Sequence, residues 1–83
     1  MSIFPTNEDR AAWAELALDE FCLAVFGRDF ADTAKTEGAD VPVGDLLCNM
    51  MHLCQRQGVD FQAMITRAEM HFEAEVEEEE ESA

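Results

Sequence analysis

The sequence predicts an all-α fold of three main helices, and two observations support this class. Apolar residues recur at spacings of three and four along segments of about fifteen to twenty residues, which is typical of helices with buried faces. Gly27, Gly38 and Gly58 stand where these segments would end, and no strand-like alternation of useful length occurs. We therefore expect helices at about residues 7–26, 43–57 and 60–77, with a short helix or turn in the connection 28–41.

The first predicted helix begins at Thr6 or Asn7 and ends before Gly27. Thr6 and Asp9 match the spacing of a capping box, and acidic residues in the first turn suit the positive end of the helix dipole. Apolar residues lie on more than one side of this helix, at Trp13, Leu16, Ala17, Phe21 and Ala24 and again at Leu18, Cys22 and Val25. Such a helix is buried on more than one side. A chain of 83 residues has little further body to cover it, so we expect a homodimer.

The second and third predicted helices form an antiparallel hairpin. An apolar stripe on the second helix comprises Val43, Leu46, Leu47, Met50, Met51, Leu53 and Cys54, and its polar face comprises Asp45, Asn49, His52 and Arg56. Gly58 is expected to end this helix in the left-handed conformation, with Val59 folding back in a Schellman motif, and Asp60 is expected to cap the next helix.

The third predicted helix carries one clear apolar stripe, made of Phe61, Met64, Ile65, Ala68, Phe72 and Val76. We expect Met50, Met51 and Met64 to fill the core, since methionine adapts to irregular interior space. Met70 lies off the stripe and is a candidate contact residue. Five consecutive glutamates at 77–81 repel one another at the negative end of the helix dipole, which favours fraying. The predicted organisation is a helical domain at 1–76 and an acidic tail at 77–83.

The net charge is strongly acidic and unevenly distributed. The chain has 19 Asp and Glu against 5 Lys and Arg, which gives a net charge of −14. Eight of the glutamates lie within residues 69–83. Proteins that bind nucleic acid or anionic membranes present a basic surface, so this composition argues against direct binding of either. The partner implied by the charge is a basic protein.

The cysteines and the absence of targeting signals predict a cytoplasmic protein. Cys22, Cys48 and Cys54 are odd in number and form no disulfide pattern, and neither a secretory signal nor a membrane-spanning apolar run is visible. Cys48 and His52 lie four residues apart, and His71 is a conceivable third zinc ligand. Structural zinc usually has four ligands at tighter spacing, so we expect no cofactor.

Part of the second half resembles a known family. The segment Gly44-Asp45-Leu46-Leu47, the turn Gly58-Val59-Asp60 and the pair Ala68 and Phe72 resemble the last two helices of MazG-like all-α nucleoside triphosphate pyrophosphohydrolases. The resemblance covers about residues 43–73. It implies an alternative function, a Mg²⁺-dependent pyrophosphohydrolase or a catalytically degenerate relative that binds nucleotide.

The metal ligands implied by this resemblance are Asp19, Glu20 and Asp45. Members of the family hold Mg²⁺ with carboxylates from two neighbouring helices, and the metal positions the water that attacks the triphosphate. Two of the five carboxylate positions are occupied by Leu23 and Pro42, which cannot bind a metal. The resemblance therefore implies at most a reduced metal site.

The charge, the size and the absence of a catalytic residue set favour a small non-enzymatic interaction protein. We expect an inhibitor of the kind encoded by phages and plasmids, in which carboxylates stand in for phosphates and occupy a basic nucleic-acid-binding groove. Electrostatic steering would speed such an association. The candidate partner-binding residues are Glu15, Asp19, Glu20, Asp45, Glu69 and Glu73.

Overall fold

The computed structural model describes residues 5–82, and every regular element among these residues is an α-helix. The helices are α1 at Asn7–Phe26, α2 at Phe30–Glu37, α3 at Asp40–Gln57 and α4 at Phe61–Ser82. The predicted all-α class, with three main helices and a short connecting helix, is confirmed. The predicted domain at 1–76 and tail at 77–83 include residues 1–4 and 83, which lie outside the described residues. This division stays a prediction.

The first helix begins with the predicted capping box. The Thr6 hydroxyl accepts a hydrogen bond from the Asp9 backbone N–H at 3.1 Å, and the Asp9 carboxylate accepts one from the Thr6 N–H at 3.0 Å. These reciprocal bonds satisfy donors that have no partner within the helix. The start of α1 is therefore determined by local sequence.

Two carboxylates converge on the start of α2. Asp29 accepts a hydrogen bond from the Asp32 N–H, and Asp19 of α1 accepts one from the Phe30 N–H, both at 2.9 Å. The first N–H groups of a helix lack intrahelical partners and carry partial positive charge, so both contacts are favourable. The hydrogen bond that Asp19 accepts connects the start of α2 to the last two turns of α1.

The hairpin between α3 and α4 has the predicted cap geometry. Gly58 has φ +72°, and its N–H donates to the Gln55 carbonyl at 3.3 Å, while the Val59 N–H donates to the Cys54 carbonyl at 2.8 Å. These are the two bonds of a Schellman motif. Asp60 then accepts a bond from the Ala63 N–H at 3.1 Å and caps α4.

Helix α3 begins three residues earlier than predicted. It starts at Asp40 and includes Pro42 in its first turn. Proline is tolerated there, because the N–H groups of the first turn have no acceptor within the helix and the missing donor costs no bond.

The end of α4 contacts the start of α1. The Asn7 backbone N–H donates to the Glu79 carboxylate at 2.8 Å, and the Asn7 side-chain amide donates to the Glu75 carbonyl at 3.2 Å. Arg10 pairs with the Glu75 carboxylate at 3.0 Å and donates to the Asn7 amide oxygen at 2.7 Å. These contacts place acidic side chains at the positive end of α1. They give a reason why α4 is helical to Ser82 rather than ending near residue 77.

The three long helices meet near their ends. In an up-down-up bundle, the end of α4 would lie beside the end of α1, about 30 Å from Asn7, since helices of 18 to 22 residues are about 27–33 Å long. The bond from Asn7 to Glu79 excludes that arrangement. The radius of gyration is 14.9 Å, whereas about 12 Å is typical of a compact domain of this length.

Very little of the chain is buried as a result. Of residues 5–81, only Cys22, Thr33 and Pro42 are buried, one from each of the helices α1, α2 and α3. The Thr33 hydroxyl donates to the Asp29 carbonyl at 2.7 Å, so this buried polar group is satisfied. The junction of α1, α2 and α3 is the one place where the described chain forms a small core.

The left-handed residue that ends α3 can be tested by substitution. We expect Gly58→Ala to lower the free energy of unfolding by about 1–2 kcal/mol, because an L-residue with a Cβ is strained at positive φ. An added Cβ would meet no other atom within 4 Å, so the effect is conformational and not steric. Urea unfolding followed by circular dichroism at fixed protein concentration measures it.

Gly44 provides the matched control inside the same helix. An added Cβ there also meets nothing within 4 Å, but Gly44 lies within α3 at ordinary helical φ. Gly44→Ala should raise the free energy of unfolding by about 0.5–1 kcal/mol, since alanine favours the helix interior. Shifts of the same sign for the two variants would contradict the assigned helix end.

Candidate interaction surface

Large apolar side chains are exposed on all three long helices. Within the described chain, thirteen of them are exposed, by 39% to 66% of their surface. Single exposed apolar residues are ordinary, but faces of several such residues mark sites of protein contact. The spacing of the exposed and half-buried apolar residues defines two such faces.

The first face consists of one apolar side of α3 and one apolar side of α4, which adjoin at the turn between the helices, and we call it the hairpin stripe. On α3 it consists of Val43, Leu47, Met50 and Cys54. On α4 it consists of Phe61, Ile65, Ala68 and Phe72. Both sets have spacings of four, three and four, which place their members on one side of each helix. Phe72 is central to the apolar side of α4 and yet is 65% exposed, so no described residue covers it.

The second face lies on α1, away from the buried Cys22, and we call it the outer stripe. It consists of Trp13, Leu16 and Leu23. Glu20 lies on the same side of the helix, four residues after Leu16 and three before Leu23. The expectation that α1 is buried on more than one side is wrong for the single described chain, because Cys22 is the only buried residue of this helix. One side contributes to the small core, and the other has no cover in the described chain.

The methionines differ from the prediction. Met50, Met51 and Met64 were expected in the core, but all three are exposed in the single chain. That prediction is wrong for the isolated chain, because helices that meet near their ends enclose no interior at these positions. Met70, expected to be a contact residue, is 66% exposed on a different side of α4 from the hairpin stripe.

An open concavity of about 460 Å³ lies where α3 meets α4. It is lined by Cys48, Met51, His52, Cys54, Gln55, Val59 and Phe61. Cys54 and Phe61 also belong to the hairpin stripe, so the concavity borders that face at the turn, with Cys48 on the opposite side of the concavity's α3 wall from the stripe. Cys48 and His52, the pair considered for zinc, both line it. No group of three or more His, Cys, Asp or Glu side chains within the described part of the chain is placed to hold a metal ion.

The predicted partner-binding carboxylates are distributed over three helices. Glu15 and Asp19 lie four residues apart and share one side of α1, and Glu69 and Glu73 share one side of α4 in the same way. Asp45 is exposed on the polar side of α3. The six acids therefore form one pair on α1, one pair on α4 and two single residues, Glu20 on α1 and Asp45 on α3.

Glu20 and Asp19 are adjacent in sequence and differ in environment. Glu20 is exposed within the outer stripe, whereas Asp19 is half-buried and bonded to the Phe30 N–H. The alternative Mg²⁺ site needs both of them with Asp45. Within residues 5–82, these three side chains form no group that is placed to hold a metal ion. Binding of Mg²⁺ by these three residues stays a prediction.

Sequence reasoning missed the contact between the two ends of the chain. Arg10 and Glu75 form an ion pair across 65 positions, and neither stands in a pattern that points to the other. The sequence predicts only fraying for the glutamates at 77–81, whereas Glu79 accepts a hydrogen bond from the Asn7 N–H and α4 continues to Ser82. A long-range pair of this kind has no signal in a single sequence.

The contact of Asp19 with Phe30 predicts a structural role for this carboxylate. We expect Asp19→Ala to lower the free energy of unfolding by about 1–2 kcal/mol, because a cap-like bond to an otherwise unpaired N–H is lost. Glu20→Ala should change it by less than about 0.5 kcal/mol, since Glu20 is exposed. Urea unfolding of the wild type and both variants measures the difference.

The same unfolding series in millimolar Mg²⁺ separates this role from metal binding. A folded protein that binds Mg²⁺ becomes more stable as the free ion concentration rises above its Kd, and a variant without a ligand loses that gain. We expect the three curves to be unchanged by Mg²⁺. Stabilisation of the wild type alone, lost in both variants, would contradict the structural assignment.

None of the described helices is long and apolar enough to cross a membrane. Comparisons with protein-family models, with curated proteins and with solved structures find no match to this chain. The resemblance to MazG-like pyrophosphohydrolases is not tested by these comparisons. The candidate site is therefore defined by the chain's own surface, two uncovered apolar faces flanked by carboxylates.

Proposed function

We propose that this chain is a small cytoplasmic interaction protein without enzymatic activity, which works as a homodimer and binds a basic protein partner through its carboxylates. The observation that carries the proposal is the set of thirteen exposed large apolar side chains on a described chain with only three buried residues. Such a chain leaves its apolar faces to be covered by another protein surface.

The charge indicates the chemistry of the partner. A net charge of −14 repels nucleic acids and acidic proteins and attracts basic ones from a distance. The pairs Glu15 with Asp19 and Glu69 with Glu73 are held on helices, so their spacing is fixed before binding. A groove that binds nucleic acid offers the matching basic groups. Occupation of such a groove would make the chain an inhibitor by competition.

Competition for a basic DNA-binding protein tests the proposal. A labelled DNA duplex is bound to a sequence-independent basic DNA-binding protein, and its fluorescence anisotropy is followed as this chain is added. We expect displacement of the duplex, and we expect the displacement to weaken as the salt concentration rises, because screening reduces the attraction. Failure to displace at low ionic strength for a panel of such proteins would contradict the proposal.

Two variants with equal charge show whether the helical body or the acidic end binds. The body variant is Glu15→Gln with Asp45→Asn and Glu73→Gln. The end variant is Glu77→Gln with Glu80→Gln and Glu81→Gln. Each raises the net charge from −14 to −11, and neither touches Asp19 or Glu79, which bond to backbone N–H groups.

The body variant should compete at least about tenfold more weakly, because three fixed charge contacts at about 0.5–1 kcal/mol each are lost. The end variant should lose less than about threefold, through weaker long-range attraction alone. Equal losses of competition by the two variants would indicate that binding depends on the net charge and not on carboxylates at fixed positions on the helices. Release of pyrophosphate from a nucleoside triphosphate panel with Mg²⁺, abolished by Asp45→Ala, would overturn the non-enzymatic proposal.

A further inference from the structure

We propose that a second copy of this chain docks on the hairpin stripe, so that the α3–α4 hairpins of two chains pack together as a four-helix interface. The inference rests on the homodimer of the proposed function and names the surface that forms it. Three observations support it: the accessible surface area of the chain, the spacing of the residues in the hairpin stripe, and the absence of charged residues from that stripe.

The surface area of the chain matches what a stable dimer needs. The accessible surface is 6577 Å², whereas a compact monomer of 9.3 kDa has about 5,000 Å². The excess is about 1,600 Å² for each chain and about 3,200 Å² for two. Obligate homodimers bury about 2,000–5,000 Å² in total, so covering this excess by a second copy gives an interface of ordinary size.

The spacing of the stripe suits packing between helices. Its members on α3 and on α4 repeat at four, three and four residues, as do the faces of helices that interdigitate in bundles and coiled coils. Phe72 supplies a large aromatic side chain with 65% of its surface uncovered. Residues of this type dominate the binding energy of interfaces when they become buried at the centre.

The distribution of charge favours a second copy of this chain as the protein that covers the hairpin stripe. Each copy carries −14, so a self-interface must lie on an uncharged face, and none of the eight residues of the hairpin stripe is charged. The outer stripe is less suitable, because two copies meeting there would bury Glu20 beside apolar groups without a base. A basic partner would gain no charge contact from the hairpin stripe, and the acidic sides of the helices remain available to it.

The native cysteines provide a test that needs no substitution. Cys54 lies in the hairpin stripe and is half-buried, Cys48 is exposed outside it, and Cys22 is buried in the small core. A thiol reagent is applied to the wild type at high and low protein concentration, and peptide mass spectrometry gives the labelling rate of each cysteine. Light scattering gives the mass of the same samples.

We expect a mass twice 9.3 kDa at high concentration, with Cys54 labelled at least about tenfold more slowly than after dilution. Cys48 should react at a similar rate in both samples. Cys22 should stay protected, which shows that dilution has not unfolded the chain. A dimer in which Cys54 reacts as fast as it does after dilution would overturn the proposed surface. A 9.3 kDa mass at all concentrations would instead overturn the homodimer of the proposed function.

A pair of substitutions on α4 locates the interface independently. Phe72 and Met70 are 65% and 66% exposed and lie on different sides of the same helix, so Phe72→Glu and Met70→Glu add the same charge at equal exposure. Phe72→Glu should weaken the dimer at least about a hundredfold, because an interface anchor is replaced by a charge in both copies. Met70→Glu should leave it within about threefold.

A third variant, Leu16→Glu, places the same charge in the outer stripe, where Leu16 is 63% exposed. We expect it to leave the dimer intact. Loss of the dimer in Leu16→Glu or Met70→Glu, with retention in Phe72→Glu, would move the interface to another face and overturn the proposal. The helical content of each variant is checked by far-UV circular dichroism. If Phe72→Glu loses its helical signal, the cysteine labelling of the wild type alone tests whether the hairpin stripe forms the dimer interface.

Discussion

The hydrogen bond from the Asn7 N–H to the Glu79 carboxylate is the constraint on which the remaining architecture depends. Together with the pair of Arg10 and Glu75, it ties the end of α4 to the start of α1. Because the hairpin turn joins α3 to α4 and α2 joins α1 to α3, the long helices are connected at their ends. They are not stacked along their lengths, and this leaves their apolar sides without cover.

The open arrangement separates two kinds of surface on one small chain. The hairpin stripe is apolar and uncharged, while the acidic pairs on α1 and α4 lie on other sides of the helices. We propose that this uncharged face lets two strongly acidic chains approach, while the acidic sides remain outward to attract a basic partner. Under this proposal, self-association would supply stability and the carboxylates would supply recognition. The apolar residues and the acidic residues of the chain would therefore have distinct roles.

Local features of the fold could be predicted from the sequence, and long-range features could not. Thr6 with Asp9, and Gly58 with Asp60, act through hydrogen bonds within a few residues, so their patterns predict helix ends well. The contact of Arg10 with Glu75 depends on the path of the whole chain, and no pattern indicates it. Met50 and Met64 were assigned to a core on the basis of periodicity. Periodicity shows which side of a helix is apolar, but not which chain covers it.

We propose that one chain does not complete its own core and that a second copy does. The most direct measurement is the urea midpoint of unfolding as a function of protein concentration, followed by circular dichroism. Dissociation coupled to unfolding makes that midpoint depend on concentration. We expect a midpoint that rises steadily with protein concentration. A midpoint that is independent of concentration, with a 9.3 kDa species throughout, would contradict it.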